Sequence, residues 1–110
     1  MLTWISGGVP VDDTPAARVI AASMREFELA VPLPRYPSDD QLRGLHVPTL
    51  ALIGGRSQIH HPRKAYDRAR ALLPDGEVEL WPQASHAISG ELATAVSARV
   101  LQFVHSVEPR

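Results

Sequence analysis

Val47-Pro48-Thr49-Leu50-Ala51-Leu52-Ile53-Gly54-Gly55 constrains the fold more than any other stretch of the chain. A short apolar run, opened by Pro and closed by paired Gly, reads as a strand buried on both faces. Strands without polar alternation belong to parallel sheets covered by helices. In such sheets the residues just past a strand's carboxyl end line the functional crevice. Gly54, Gly55, Arg56, Ser57 and Gln58 therefore stand where an active site would form.

The segments around this strand supply what a parallel pair needs. Pro62 opens a helix to about Leu73, with Ala65, Ala69 and Leu72 as its inner stripe and Arg63, Lys64, Asp67, Arg68 and Arg70 in water. Pro74-Asp75-Gly76 makes the turn that ends it. Glu77-Val78-Glu79-Leu80-Trp81 alternates polar with apolar, as a strand with one exposed face at a sheet edge does. Pro82 to Ser89 is loop, and a final helix runs from about Gly90 to His105 with Leu92, Val96, Val100 and Phe103 facing inward. Strand, helix, strand is a parallel crossover, and the fold class is α/β.

Upstream, Leu2 to Ile5 reads as the tail of a strand and Gly7 to Pro10 as the turn after it. Thr14 caps a helix over about 14–30, with Pro15 at its first position and Ala16, Ile20, Met24 and Phe27 as one apolar stripe. Three prolines between Val31 and Pro37 forbid regular helix and mark an extended linker. Ser38 caps a short helical turn, Asp39 to Leu45, whose early acids suit the helix dipole. The chain thus divides into a helical and linker segment, 1–46, and an α/β segment, 47–110, within one small domain.

Composition narrows the function. The chain has 110 residues, 45% hydrophobic and 21% charged, a balance that favours folding over disorder. A net charge of -1 gives no reason to expect nucleic acid or an anionic membrane as partner. The absence of cysteine excludes disulfides and thiolate chemistry and suits a cytoplasmic protein. No apolar run reaches the roughly 20 residues of a membrane helix, and Met1 to Gly8 does not read as a signal peptide.

From Leu45 to Phe103 the chain resembles the C-terminal half of the α/β-hydrolase family. The resemblance is carried by Leu45 to Ser57, Ala65 to Pro74, Val78-Glu79-Leu80-Trp81-Pro82-Gln83-Ala84-Ser85-His86, and the helix ending Leu101-Gln102-Phe103-Val104. It implies that the first strand is the one that carries the catalytic acid, that His86 is the general base on the loop after the last strand, and that 1–46 is cap-like. It implies an esterase-like enzyme that cleaves carboxylic esters through an acyl-enzyme without a cofactor. Two departures accompany it. No Gly-x-Ser-x-Gly nucleophile elbow occurs in the 110 residues. At the strand end, where the family commonly has Gly-x-x-Asp, this chain has Gly54-Gly55-Arg56-Ser57. The acid then comes from upstream of Met1, or is Asp12 or Asp13.

These readings set the expectations. His86 takes and returns a proton in the triad logic. Ser57 occupies the acid position, and its hydroxyl is also the nearest candidate nucleophile to His86. His60-His61 with His86 is a poor metal set, because adjacent extended residues point to opposite sides. Arg63, Lys64, Arg68 and Arg70 form a solvated face, and Trp4, Tyr66 and Trp81 are packing residues. Without an elbow the chain alone is expected to be inactive, and an N-terminal half would complete it for a small ester substrate. The strand edge such a half would cover invites self-association, or a covering by residues 1–13. The competing expectation is a non-catalytic binding or dimerising module that uses the 14–30 helix as its apolar contact.

Overall fold

The structure, a computed structural model, describes residues 6–8, 13–28 and 30–109. The strand read over Leu2 to Ile5, the turn residues Val9 and Pro10, and Asp12 lie outside these residues. At the centre, β1 (Thr49–Gly54) pairs in parallel with β2 (Gly76–Trp81), in register from Thr49 opposite Gly76 to Gly54 opposite Trp81. The crossover helix α3 (Pro62–Leu72) packs across both strands, β2 more closely. His61 caps it, its Nδ1 accepting from the Lys64 N–H, and its last residue, Leu72, is buried. The α/β class read from the sequence therefore holds as a partial α/β fold.

The register puts Ala51, Ile53, Val78 and Leu80 on one face, and Leu50, Leu52, Glu77, Glu79 and Trp81 on the other. The acidic positions of β2 do not simply face water, as alternation alone suggested. Helix α5 (Ala93–Val107) brings Arg99 over them, where the guanidinium pairs with both Glu77 and Glu79. Trp81 Nε1 donates to Glu79 as well, at 2.8 Å. These contacts hold the Glu79 carboxyl below its ordinary range, the Trp81 hydrogen bond first and the Arg99 hydrogen bond next.

Other boundaries differ from the sequence reading, for local reasons. The N-terminal helix α1 (Pro15–Glu26) is capped by Thr14 as expected but ends four residues early, with Phe27 extended. It buries no residue, so no packing holds its last turn helical against the extended segment that follows. Helix α2 (Asp39–Arg43) carries a reciprocal capping box between Ser38 and Gln41, and Arg68 of α3 ties it down through Asp39 and the Pro37 carbonyl. The final helix is interrupted at Leu92, giving a short turn α4 (Ile88–Glu91) ahead of α5. Of its expected inward stripe, Val96 and Phe103 are half-buried while Leu92 and Val100 are exposed.

Strand β1 is half-buried rather than enclosed, and only Gly54 along it is buried. The sheet has two strands, and among the described residues nothing pairs with either outer edge. Leu72 and Ala84 are the only buried apolar residues among those described. The chain exposes 8327 Å2, where a compact monomer of its 12.0 kDa exposes about 6,000 Å2.

Candidate active site

The site forms where β1 ends against the loop that follows β2. Gly54 sits so close to that loop that a Cβ there would lie 2.0 Å from the Ser85 carbonyl oxygen, and one on Gly55 would lie 2.8 Å from Pro82 Cα. The paired glycines therefore do more than stop the strand. They let the histidine loop lie directly on its end. The Gly55 N–H donates to the Trp81 carbonyl at 2.8 Å and the Arg56 N–H to the Ala84 carbonyl at 2.9 Å, which sews the two loops together.

Arg56 extends that seam. Its Nη1 donates to the Gln83 carbonyl at 3.0 Å, and its Nη2 to the carbonyls of Ser6 and Gly7 at 3.2 and 3.1 Å. The Gly7-Gly8 turn approaches with φ of +66° and +89°, values that favour glycine. The described part of the expected N-terminal turn thus ends against Arg56.

Ser85 anchors the loop from below. It is fully buried, its N–H donates to Glu91 Oε2 at 2.8 Å, and its hydroxyl donates to Glu91 Oε1 at 2.7 Å. The same hydroxyl accepts from the Ala87 N–H at 3.1 Å. Residues 85 and 87 are thus both fixed, and His86 between them projects to the surface. Glu91 was missed in the sequence because a helix was expected to run on past it, whereas the break at Leu92 accompanies a turn whose carboxylate reaches back to Ser85.

The two residues singled out from the sequence meet. Ser57 Oγ, in a buried residue, lies 3.2 Å from His86 Nδ1. It also lies 3.2 Å from His60 Nδ1 and accepts from the Ile59 N–H at 3.3 Å. The imidazoles of His60 and His86 stand edge to face, with centroids 5.7 Å apart. Burial, and secondarily the charge His86 can carry, push the His60 pKa below its ordinary 6.5. Sequence reasoning considered His60 only beside His61. Its position three residues after Ser57, on the turn that leads into α3, was the available signal. His86 Nε2 takes no hydrogen bond among the described residues, which leaves that nitrogen open for proton transfer. Asp13, one of the alternative acids, is committed elsewhere, paired with Arg18 at 2.7 Å on the exposed start of α1.

Beside His60 opens a groove of about 430 Å3 between the Pro-rich linker and α3, lined by Tyr36, Pro37, Leu42, Ala65 and Leu73.

The chain is 38% identical over 69 residues to an uncharacterized carboxylesterase, nap, of Bacillus subtilis (strain 168). Its structure matches that of carboxylesterase CesB (YbfK) from Bacillus subtilis with a TM-score of 0.79 at 28% identity, over 92% of this chain and 38% of that one. The relatives it matches are carboxylesterases of the α/β-hydrolase type.

It also matches the structure of naproxen esterase (carboxylesterase NP) from Bacillus subtilis, with a TM-score of 0.63 at 35% identity over 71% of this chain and 27% of that one. No protein-family model matches it. The matched region covers 63% of this chain but spans 23% of the length of nap, an extent consistent with the C-terminal half of the fold. Among the described residues no helix is long and apolar enough to cross a membrane.

Proposed function

We propose that this chain supplies the histidine arm of a carboxylic ester hydrolase, and that it does not hydrolyse esters by itself. The observation that carries the reading is the convergence of His86 Nδ1 on the side chain at the family's acid position, 3.2 Å away, with Nε2 left open. In the complete site His86 takes the nucleophile's proton and returns it to the leaving alcohol. The nucleophile and oxyanion hole come from a segment ahead of residues 47–110, with 1–46 as the adjoining cap. The groove beside His60 takes the apolar part of a small ester. No cofactor enters the reaction, and the cysteine-free composition suits the cytoplasm.

The surface supports a chain built to be covered. The chain exposes roughly 2,000 Å2 more than a compact monomer of its mass. The outer edge of β1 offers a row of backbone donors and acceptors to a strand of the completing half, or to another copy when that half is missing. The exposed Val19, Ile20 and Met24 of α1, with Phe27 just after it, favour a second reading, a dimerising module in which the ester chemistry has lapsed.

Hydrolysis of a short-chain activated ester by the purified chain, beside a His86→Ala control, tests the first statement. Imidazoles hydrolyse such esters slowly, so the expected result is a background rate the substitution leaves within about twofold, as an absent nucleophile and oxyanion hole require. Saturable turnover abolished by His86→Ala would place a nucleophile within the chain, with Ser57 the first residue to examine.

A further inference from the structure

We propose that His60 is a positioning residue that, through Ser57, sets which nitrogen of His86 carries the proton. A serine hydroxyl has one proton to donate and two lone pairs to accept with. Around Ser57 Oγ stand three partners: the Ile59 N–H at 3.3 Å, His60 Nδ1 at 3.2 Å and His86 Nδ1 at 3.2 Å. The Ile59 N–H can only donate, so it takes one lone pair. One hydroxyl proton and one lone pair remain for two imidazole nitrogens. With both contacts made, one ring is protonated at Nδ1 and the other bare there.

The direction follows from where a proton is held when one is taken up. His86 is exposed and its Nε2 is open, while His60 is half-buried. An imidazolium carries N–H on both nitrogens, so a protonated His86 must donate from Nδ1 to Ser57. Ser57 then has to donate onward, and neutral His60 Nδ1 is the acceptor. The chain of bonds is His86 Nδ1–H to Ser57 Oγ, and Ser57 Oγ–H to His60 Nδ1. With the same chain already in place before uptake, the proton arrives at Nε2 and leaves at Nε2, and no other bond changes hands.

This arrangement gives the orienting half of what a carboxylate does. It presents the bare Nε2 to the reacting group, but it supplies no charge to stabilise the imidazolium. It also separates the two histidines of the 60–61 pair, since His61 is spent on capping α3 and His60 on the hydroxyl. The inference rests on reading His86 as the base, yet its test needs no substrate, so its failure and the failure of that reading are told apart.

Nitrogen NMR of the chain labelled with [15N]histidine, recorded near pH 8, above the ordinary range of a free imidazole, reads the tautomers directly. Single substitutions assign the signals, and an assembled chain is measured as a spinning solid. The expected spectrum has His86 protonated at Nδ1 and His60 protonated at Nε2. In His60→Asn the amide oxygen accepts the Ser57 hydroxyl proton in place of Nδ1, and His86 keeps its tautomer. In His60→Phe the hydroxyl turns to donate to His86, which then loses the Nδ1–H form for Nε2–H. Ser57→Ala abolishes the preference in both rings. A parent chain with His86 in the Nε2–H form, or averaging between forms, overturns the proposal, as does a His60→Phe spectrum in which His86 is unchanged.

Discussion

A hydroxyl at the acid position alters what the site responds to. A carboxylate beside His86 would favour its charged form, whereas Ser57 offers only hydrogen bonds and shares them with a second imidazole. His60 is the group whose protonation the fold opposes, through burial first and the charge of His86 second. Its folded pKa lies below its unfolded one, so at high pH, with the ring neutral in both states, it contributes nothing. As pH falls through 6.5 the unfolded chain takes up the proton first, and stability declines until the folded value is passed. Glu79 acts in the same direction at more acid pH: its lowered pKa stabilises the fold above 4.5, and that contribution is lost as pH falls through its folded value. Thermal unfolding between pH 7 and 5 should therefore show a falling midpoint in the parent chain and a shallower fall in His60→Asn. Equal slopes in the two would remove His60 as the cause.

Among the elements, the turn of β1 into the site was largely legible, and the part below the histidine loop was not. The apolar run with its terminal glycines fixed β1 because an unbroken apolar stretch, its length and its turn residues all pointed one way. Ser57 and His86 could be paired because both follow strands of one parallel sheet and so reach the same edge. Glu91 could not be paired with Ser85, since i to i+6 is no helical spacing and the contact depends on the break at Leu92. Arg99 was hidden for a related reason: an arginine on a helix is ordinarily solvated, and only the crossing of α5 over β2 brings it onto Glu77 and Glu79. The Ser85–Glu91 contact has a measurable consequence. Glu91→Ala leaves two donors of a fully buried serine unpaired and should cost about 1–3 kcal/mol in urea unfolding. The loss should shrink in a chain that also carries Ser85→Ala, and independent, additive losses would show that the clamp is not the mechanism.

For the whole molecule the decisive fact is incompleteness of packing. A parallel pair with one covering helix, open outer edges and two buried apolar residues among those described is a poor independent core. Helices α1 and α5 bury no residue, yet both carry apolar side chains, and burial was the part of the sequence reading that failed most often. The stripes on Ile20 and Met24, and on Leu92 and Val100, were correctly read as apolar faces. The inward facing expected of Leu92 and Val100 presumed a surface that the described residues do not provide. The same reasoning makes the stability of the chain depend on what covers these faces. The most direct measurement mixes the purified chain with the portion of carboxylesterase YbfK that precedes the matched region, and follows both complex formation and turnover of an activated ester. The expected result is a complex whose turnover, absent from either part alone, is lost with His86→Ala in this chain. A complex that forms but shows no His86-dependent turnover would contradict the assignment of this chain as a hydrolase's histidine arm.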